Sequence, residues 1–140
     1  MTGSGHGDAS KAALLTAEEC EKSVVISDPS RPDSPIIFVS DEFETQTGYP
    51  PEEVLGRNCR FLQGPETDPK AIQAIRDALA AETEITIDLV NYRKDGTPFW
   101  NRLRIRPLFD DKGRVQYFVG AQNPIPAEDV RLDPIEAVFD

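Results

Sequence analysis

The spacing of the hydrophobic residues changes from strand-like to helical and back to strand-like along the chain. Two short runs rich in valine and isoleucine come first, and three longer segments with alternating apolar and polar residues come last. Between them, an apolar stripe at helical spacing follows Asp68 and Pro69, a typical helix start. The five predicted strands are residues 23–27, 36–39, 84–93, 97–108 and 114–123. This order predicts an α+β domain with a five-stranded antiparallel sheet and its helices on one face.

The two ends of the chain carry weaker patterns. Residues 1–9 are rich in glycine and serine without periodicity, and we expect them to be disordered. A helix is predicted from Ser10 to about Lys22, or restarting at Thr16, where a capping-box sequence begins. We therefore divide the chain into three parts: a flexible N-terminus with a cap helix (1–22), a core (23–123) and a C-terminal extension with a short helix (124–140).

Charge and composition exclude several classes of protein. Among 140 residues, 25 are acidic and 15 basic, and the net charge of −10 argues against nucleic-acid binding. The polar N-terminus does not resemble a secretory signal and no apolar run reaches membrane-spanning length, so we expect a cytoplasmic protein without a membrane partner. The sequence contains one histidine, His6, and two cysteines, Cys20 and Cys59, which are too few soft ligands for a metal ion, so we predict no metal site.

Three carboxamides fall on the predicted apolar face of the last three strands. Strand alternation places Asn91, Asn101 and Gln122 on that face, one in each strand. An unpartnered buried amide costs roughly 1–3 kcal/mol, so three together favour a flat, polar ligand edge. The alternative is that each amide bonds a backbone group near a strand end. Gly120 on the same face would let a ligand approach the backbone closely.

The segment 56–64, with the sequence GRNCRFLQG, carries the other candidate chemistry. Its cysteine, Cys59, has polar or charged neighbours on both sides, whereas structural cysteines usually lie among apolar residues. Arg57 and Arg60 suit an anion such as phosphate. The local residues therefore indicate a thiol beside an anionic ligand, although a surface loop with an inert cysteine fits them as well.

The chain resembles the light-oxygen-voltage (LOV) domains, the blue-light-sensing branch of the PAS superfamily, of the short bacterial type. The segment GRNCRFLQGP at 56–65 carries the resemblance, together with NYRKDG at 91–96, FWN at 99–101 and YFVGAQ at 117–122. The likeness extends over about residues 23–123. It implies a PAS fold whose sheet and short helices enclose a flavin.

The resemblance also implies functions for particular residues. It implies noncovalently bound flavin mononucleotide (FMN), with Cys59 as the photoactive cysteine that bonds reversibly to the flavin C4a carbon after illumination. Gln122 matches the glutamine that senses the resulting protonation of the ring, and Asn91 and Asn101 match hydrogen-bonding positions at its pyrimidine edge. These expectations describe a blue-light photoreceptor and not an enzyme, since an enzyme with a Cys59 nucleophile would also need a base.

Further positions match the rest of a flavin site. Arg60 and Arg76 match phosphate-binding positions, and Ser34 stands near the pocket entrance where asparagine is common. Asn58 and Gln63 match contacts to the ribityl chain and the ring edge. The positions that match the lining of the pocket are Val25, Ser27, Leu62, Leu79, Leu103, Ile105, Phe118 and Gly120.

The signal is expected to leave through the outer face of the sheet. Alternation leaves an apolar row on the last strand, formed by Val115, Tyr117, Val119 and Ala121. We expect flanking helices or a second copy to cover this row, and favour a homodimer. We recognise no effector sequence, so the chain is either a stand-alone photoreceptor or a fragment, and its downstream partner is unassigned. A flavin-binding redox-sensing PAS module and a PAS interaction module without flavin are the alternatives.

Overall fold

The computed structural model describes residues 5–131, and its sheet is antiparallel throughout this range. Its strands are β1 (Gly5–Gly7), β2 (Ser23–Ser27), β3 (Ile36–Ser40), β4 (Ile85–Tyr92), β5 (Pro98–Phe109), β6 (Val115–Gln122) and β7 (Pro124–Ile125). The strand order is β1-β3-β2-β6-β5-β4, and the short β7 pairs with β5. The predicted α+β fold with an antiparallel sheet is confirmed, with β1 and β7 added to the five predicted strands.

The helices are short apart from one. They are α1 (Asp41–Thr47), α2 (Pro51–Val54) and α3 (Pro69–Ala81), with 3₁₀ turns at Ala9–Leu14, Glu19–Glu21, Cys59–Leu62 and Ala127–Asp129. The start of α3 follows the sequence signal, because the Asp68 carboxylate accepts a hydrogen bond from the Lys70 N–H at 2.9 Å. The helix packs Ala71 against Ile87 and Leu89 of β4. It thereby lies over one face of the sheet.

The prediction of disorder over residues 1–9 is wrong for β1. Its register with β3 places Gly5 opposite Ser40 and Gly7 opposite Phe38. A Cβ at Gly5 would overlap the ring of Phe38 and one at Gly7 would overlap the Ile37 carbonyl oxygen, so the strand fits only because it lacks side chains there. Glycine carries no alternation of apolar and polar side chains, and the sequence pattern therefore gave no strand signal.

The continuous helix predicted from Ser10 to Lys22 is also wrong. Two 3₁₀ turns take its place, and the first is capped by Asp8, whose carboxylate accepts from the Ser10 N–H at 3.2 Å. The capping box does form, since Thr16 and Glu19 exchange hydrogen bonds of 2.9 and 3.1 Å. Packing on the sheet decides the shape of this segment.

The outer face of the sheet is partly covered by this N-terminal segment. Val119 and Ala121 are buried in a cluster against which Ala12 and Leu15 pack. The Glu19 carboxylate receives two hydrogen bonds from Arg106 of β5, at 2.6 and 2.8 Å, which join the segment to the sheet. The helix predicted within the C-terminal extension lies outside the described residues. No helix among those described is long and apolar enough to cross a membrane.

Candidate functional site

A cavity of about 420 Å³ lies between α3, the segment 58–63 and the inner face of the sheet, within the range of small-molecule sites. The predicted site residues that line it are Val25, Ser27, Asn58, Cys59, Arg60, Leu62, Gln63, Arg76, Leu79, Asn91, Leu103, Ile105, Phe118, Gly120 and Gln122. Asn101 does not line the cavity. Ser34, which the resemblance put near the pocket entrance, lines it as well, and the residues that line it without an earlier assignment are Pro29, Ile72, Ile75, Ala80 and Leu89. The fold therefore brings together side chains from strands, helix and loops.

Some of these additional residues had a sequence signal. Ile72 and Ile75 belong to the apolar stripe of α3, and Leu89 shares a strand face with Asn91, so periodicity placed all three on the inner side. Pro29 lies in the irregular loop 28–35, where no periodicity indicates direction. No local pattern brings that loop to the cavity, and only the family resemblance had put its Ser34 near the entrance.

The three carboxamides form one hydrogen-bonded chain. The Asn101 Nδ2 donates to the Asn91 Oδ1 at 2.8 Å and to the Gln122 Oε1 at 2.7 Å. Its Oδ1 accepts from the backbone N–H of Asn123 at 2.9 Å, and the Asn91 Nδ2 donates to the Val90 carbonyl at 3.2 Å. Both polar groups of Asn101 and Asn91 thus have protein partners, so the burial of these two amides does not by itself require a ligand.

The three amides nevertheless differ in whether they line the cavity. Asn101 is fully buried behind the cavity wall, where it holds Asn91 and Gln122, which do line the cavity. Within residues 5–131 the Gln122 Nε2 donates no hydrogen bond to the protein. Asn91 and Gln122 can therefore contact a ligand directly, whereas Asn101 positions them.

Cys59 opens the 3₁₀ turn at Cys59–Leu62. Asn58 caps this turn, because its Oδ1 accepts from the Arg60 N–H at 3.0 Å. The thiol is half-buried at the cavity wall, and burial raises its pKa to about 12. At neutral pH Cys59 is therefore a neutral thiol that retains its proton.

His6, the only histidine, pairs with Asp41 at 2.7 Å and does not line the cavity.

The arginines have different surroundings. Arg60 lines the cavity and binds Asp33 through its Nη2, at 2.7 and 2.9 Å. Arg76 also lines the cavity, is exposed to solvent, and has no carboxylate within 4 Å in the part of the chain that the structure describes. Arg57 does not line the cavity, because its guanidinium packs on the Phe61 ring at 4.5 Å. Of the two arginines that the segment 56–64 offered for an anion, only Arg60 lines the cavity, together with Arg76 from the pair that the resemblance named.

The surroundings of Gly120 show whether the fold itself requires a glycine at this position. A Cβ at this position would meet only ordinary contacts, the nearest being Val25 Cγ2 at 3.5 Å and Gln122 Nε2 at 3.8 Å. The residue also lines the cavity. Packing within the protein therefore leaves room for a methyl group here, and a ligand lying against the backbone would explain the glycine.

The sequence is similar to a PAS family profile, to phototropins and to blue-light-activated histidine kinases. A sequence profile of the PAS domain matches residues 21–125. Phototropin-1A of Oryza sativa subsp. japonica is 55% identical over 107 residues, which are 76% of this chain and 12% of that protein. Blue-light-activated histidine kinase 1 of Erythrobacter litoralis is 45% identical over 115 residues, or 82% of this chain and 32% of that protein. The chain therefore spans about a third or less of these relatives.

Solved structures are similar over most of their length. One comes from work in which a flavin analogue sheds light on the light-oxygen-voltage domain mechanism. It superposes with a TM-score of 0.79 at 48% identity, covering 87% of this chain and 89% of that one. The dark structure of the blue-light photoreceptor Aureochrome1 LOV gives a TM-score of 0.77 at 42% identity, covering 89% and 87%.

Proposed function

Because the chain belongs to the LOV branch of the PAS family, we propose that it is the light-sensing domain of a blue-light photoreceptor with FMN in its cavity. One observation carries the proposal: a neutral, half-buried thiol lines the same cavity as two carboxamides of one hydrogen-bonded chain. Burial at Cys59 suits a side chain that must keep its proton until the reaction begins.

The residues present fit a flavin. Asn91 and Gln122 offer both donors and acceptors to the polar edge of a ring. Gly120 leaves space for the ring to approach β6, and apolar residues of α3 and β5 supply the remaining walls. Two arginines at the solvent side suit a phosphate and favour FMN over riboflavin, which has none.

When bound, the flavin supplies blue-light absorption and, once excited, a ring carbon that takes a thiol sulfur and a ring nitrogen that takes the thiol proton. Cys59 holds that proton in the dark and lies within the cavity, so no separate acid or base is required. Gln122 has one acceptor and two donors, and rotation of its amide lets it follow a change from acceptor to donor at its ligand. Since Asn101 donates to the Gln122 oxygen, that rotation would also break the 2.7 Å bond between them.

The signal would pass through β6 to the outer face of the sheet. Val119 and Ala121 lie in the same strand as Gln122 and contact the N-terminal segment through Leu15 and Ala12. A shift of β6 would change these contacts. We propose that the chain signals through this segment or through a homodimer that uses the same face, and we assign no catalytic activity to the domain itself.

Absorption spectra before and after blue light test the photoreceptor function. We expect the dark protein with FMN to be yellow, and its blue absorption to bleach on illumination and recover in the dark. Cys59→Ala should stay yellow and fail to bleach. Cys20→Ala is the matched control, since this cysteine lies in the N-terminal 3₁₀ turn outside the cavity, and it should bleach like the unaltered protein. A protein that takes up no flavin from excess FMN would refute the proposal.

A flavin-binding redox sensor is the second candidate. The amide chain and Gly120 would hold a flavin regardless of any reaction at Cys59. Bleaching by a reductant in the dark, unchanged in Cys59→Ala and absent under light alone, would favour this candidate.

A further inference from the structure

Arg60 already has a carboxylate partner within the chain. Its Nη2 donates to both oxygens of Asp33, at 2.9 and 2.7 Å. The hydrogen bond from Arg60 holds the pKa of Asp33 below its usual range, so the carboxylate is charged at neutral pH. The two side chains are 52% and 62% exposed, which places the pair at the solvent edge of the cavity that Arg60 lines.

The backbone holds Asp33 in this place independently of the ion pair. The Asn58 Nδ2 donates to the Asp33 carbonyl at 2.8 Å, and the same Asn58 caps the turn that carries Arg60. Asp33 and Ser34 both have positive φ, 64° and 46°, and Ser34 lines the cavity. The loop 28–35 is thus bent so that the carboxylate lies beside the guanidinium.

Arg76 differs from Arg60 in this respect. It lines the cavity and has no carboxylate within 4 Å among residues 5–131. Arg60 and Arg76 bring two positive charges to the cavity wall, and the Asp33 carboxylate neutralises one of them. A dianion placed there would meet Arg76 directly, but would meet Arg60 only together with the charge of Asp33.

We propose that Asp33 is a specificity-determining residue, which competes with the phosphate of a bound flavin for Arg60. The inference rests on the proposed flavin site. The phosphate must either displace the Asp33 carboxylate or bind beside it, and both reduce what Arg60 contributes to phosphate binding. Arg76 therefore supplies most of the phosphate recognition. As a result, Asp33 limits the preference of the site for FMN over riboflavin, which has the same ring system and no phosphate.

The test compares two ligands in several variants. Dissociation constants for FMN and riboflavin are measured in the dark by titration of flavin fluorescence, and their ratio reports the phosphate preference. Asp33→Asn removes the charge, keeps an acceptor for Arg60, and suits the left-handed backbone. We expect it to raise the preference for FMN by up to about fivefold, the upper end of the range for loss of an exposed charge contact. Asp111→Asn removes the same charge at an exposed turn outside the cavity and should leave the ratio unchanged.

Arginine variants give an independent readout. Arg76→Gln should abolish most of the phosphate preference, whereas Arg60→Gln should have a small effect. In the Asp33→Asn background, Arg60→Gln should have a larger effect, since the two residues are coupled. An unchanged ratio in Asp33→Asn, with both flavins bound, overturns this inference alone. If neither FMN nor riboflavin binds the unaltered protein or any of its variants, both this inference and the proposed flavin site are overturned.

Discussion

Two glycines should respond to alanine in opposite ways. Gly120 lines the cavity, and an added Cβ would lie 3.5 Å or more from Val25, Gln122 and Leu103, which is ordinary van der Waals contact. Gly64 lies against the ring of Tyr92, and an added Cβ would overlap ring atoms. The first glycine is therefore expected to serve a ligand and the second to serve the fold.

The expected magnitudes follow from these contacts. Glycine within a strand costs about 0.5–1 kcal/mol relative to alanine, so Gly120→Ala should leave the flavin-free protein equally stable or more stable by up to about 1 kcal/mol. A flavin ring seated against this backbone would meet the new methyl group, and overpacking typically costs about 1–3 kcal/mol. The dissociation constant for FMN should then rise about 5- to 150-fold. Gly64→Ala should destabilise the flavin-free protein by about 1–3 kcal/mol.

Urea unfolding of the flavin-free protein and fluorescence titration with FMN separate the two effects. For Gly120→Ala we expect a normal unfolding midpoint and weakened FMN binding; for Gly64→Ala, a lowered midpoint before any flavin is added. Loss of more than about 1 kcal/mol in flavin-free Gly120→Ala would show that the protein itself needs the glycine. Unchanged FMN affinity in that variant would place the ring elsewhere in the cavity. Either result would refute the reasoning.

Two further predictions concern stability and assembly. The fully buried carboxylate of Asp88 accepts hydrogen bonds from the Arg102 guanidinium at 2.8 and 2.9 Å and from the Arg131 N–H at 2.7 Å. Burial by itself raises the pKa of Asp88, but these hydrogen bonds outweigh burial and hold that pKa below its usual range. Its stabilisation is therefore present above the unfolded pKa of about 3.9 and is lost as pH falls through the lower folded value. In urea unfolding, Asp88→Asn should cost about 3 kcal/mol at pH 7 and progressively less as the pH falls below about 3.9; a cost that stays constant down to the lowest pH at which the protein folds would contradict this. Light scattering should find a dimer at high concentration, and a monomer in both dark and light would contradict this. Leu14 lies on the exposed side of the N-terminal segment, and Leu14→Glu should raise the dissociation constant of the dimer about tenfold.

Local patterns were sufficient wherever a structural element depends on its own residues. The run at 23–27 became β2 with the predicted bounds, and α3 begins after Asp68, whose side chain caps it. Residues 94–96, which lie between two predicted strands, form the turn that joins β4 and β5. Periodicity and capping are properties of neighbouring residues, and the amino-acid order is enough to determine them.

The tertiary structure decided which groups meet. Gly5–Gly7 became a strand because Gly5 and Gly7 let its backbone lie close to the partner β3, and no local pattern records that fit. Alternation placed the three amides on one face, but only the register of β4, β5 and β6 made Asn101 the donor to both others. Arg60 matched a phosphate position in the sequence, yet its partner is Asp33, 27 residues earlier, because the bend of a loop sets that distance. Contacts between residues far apart in the chain depend on the closure of the whole sheet, and sequence spacing alone does not contain them.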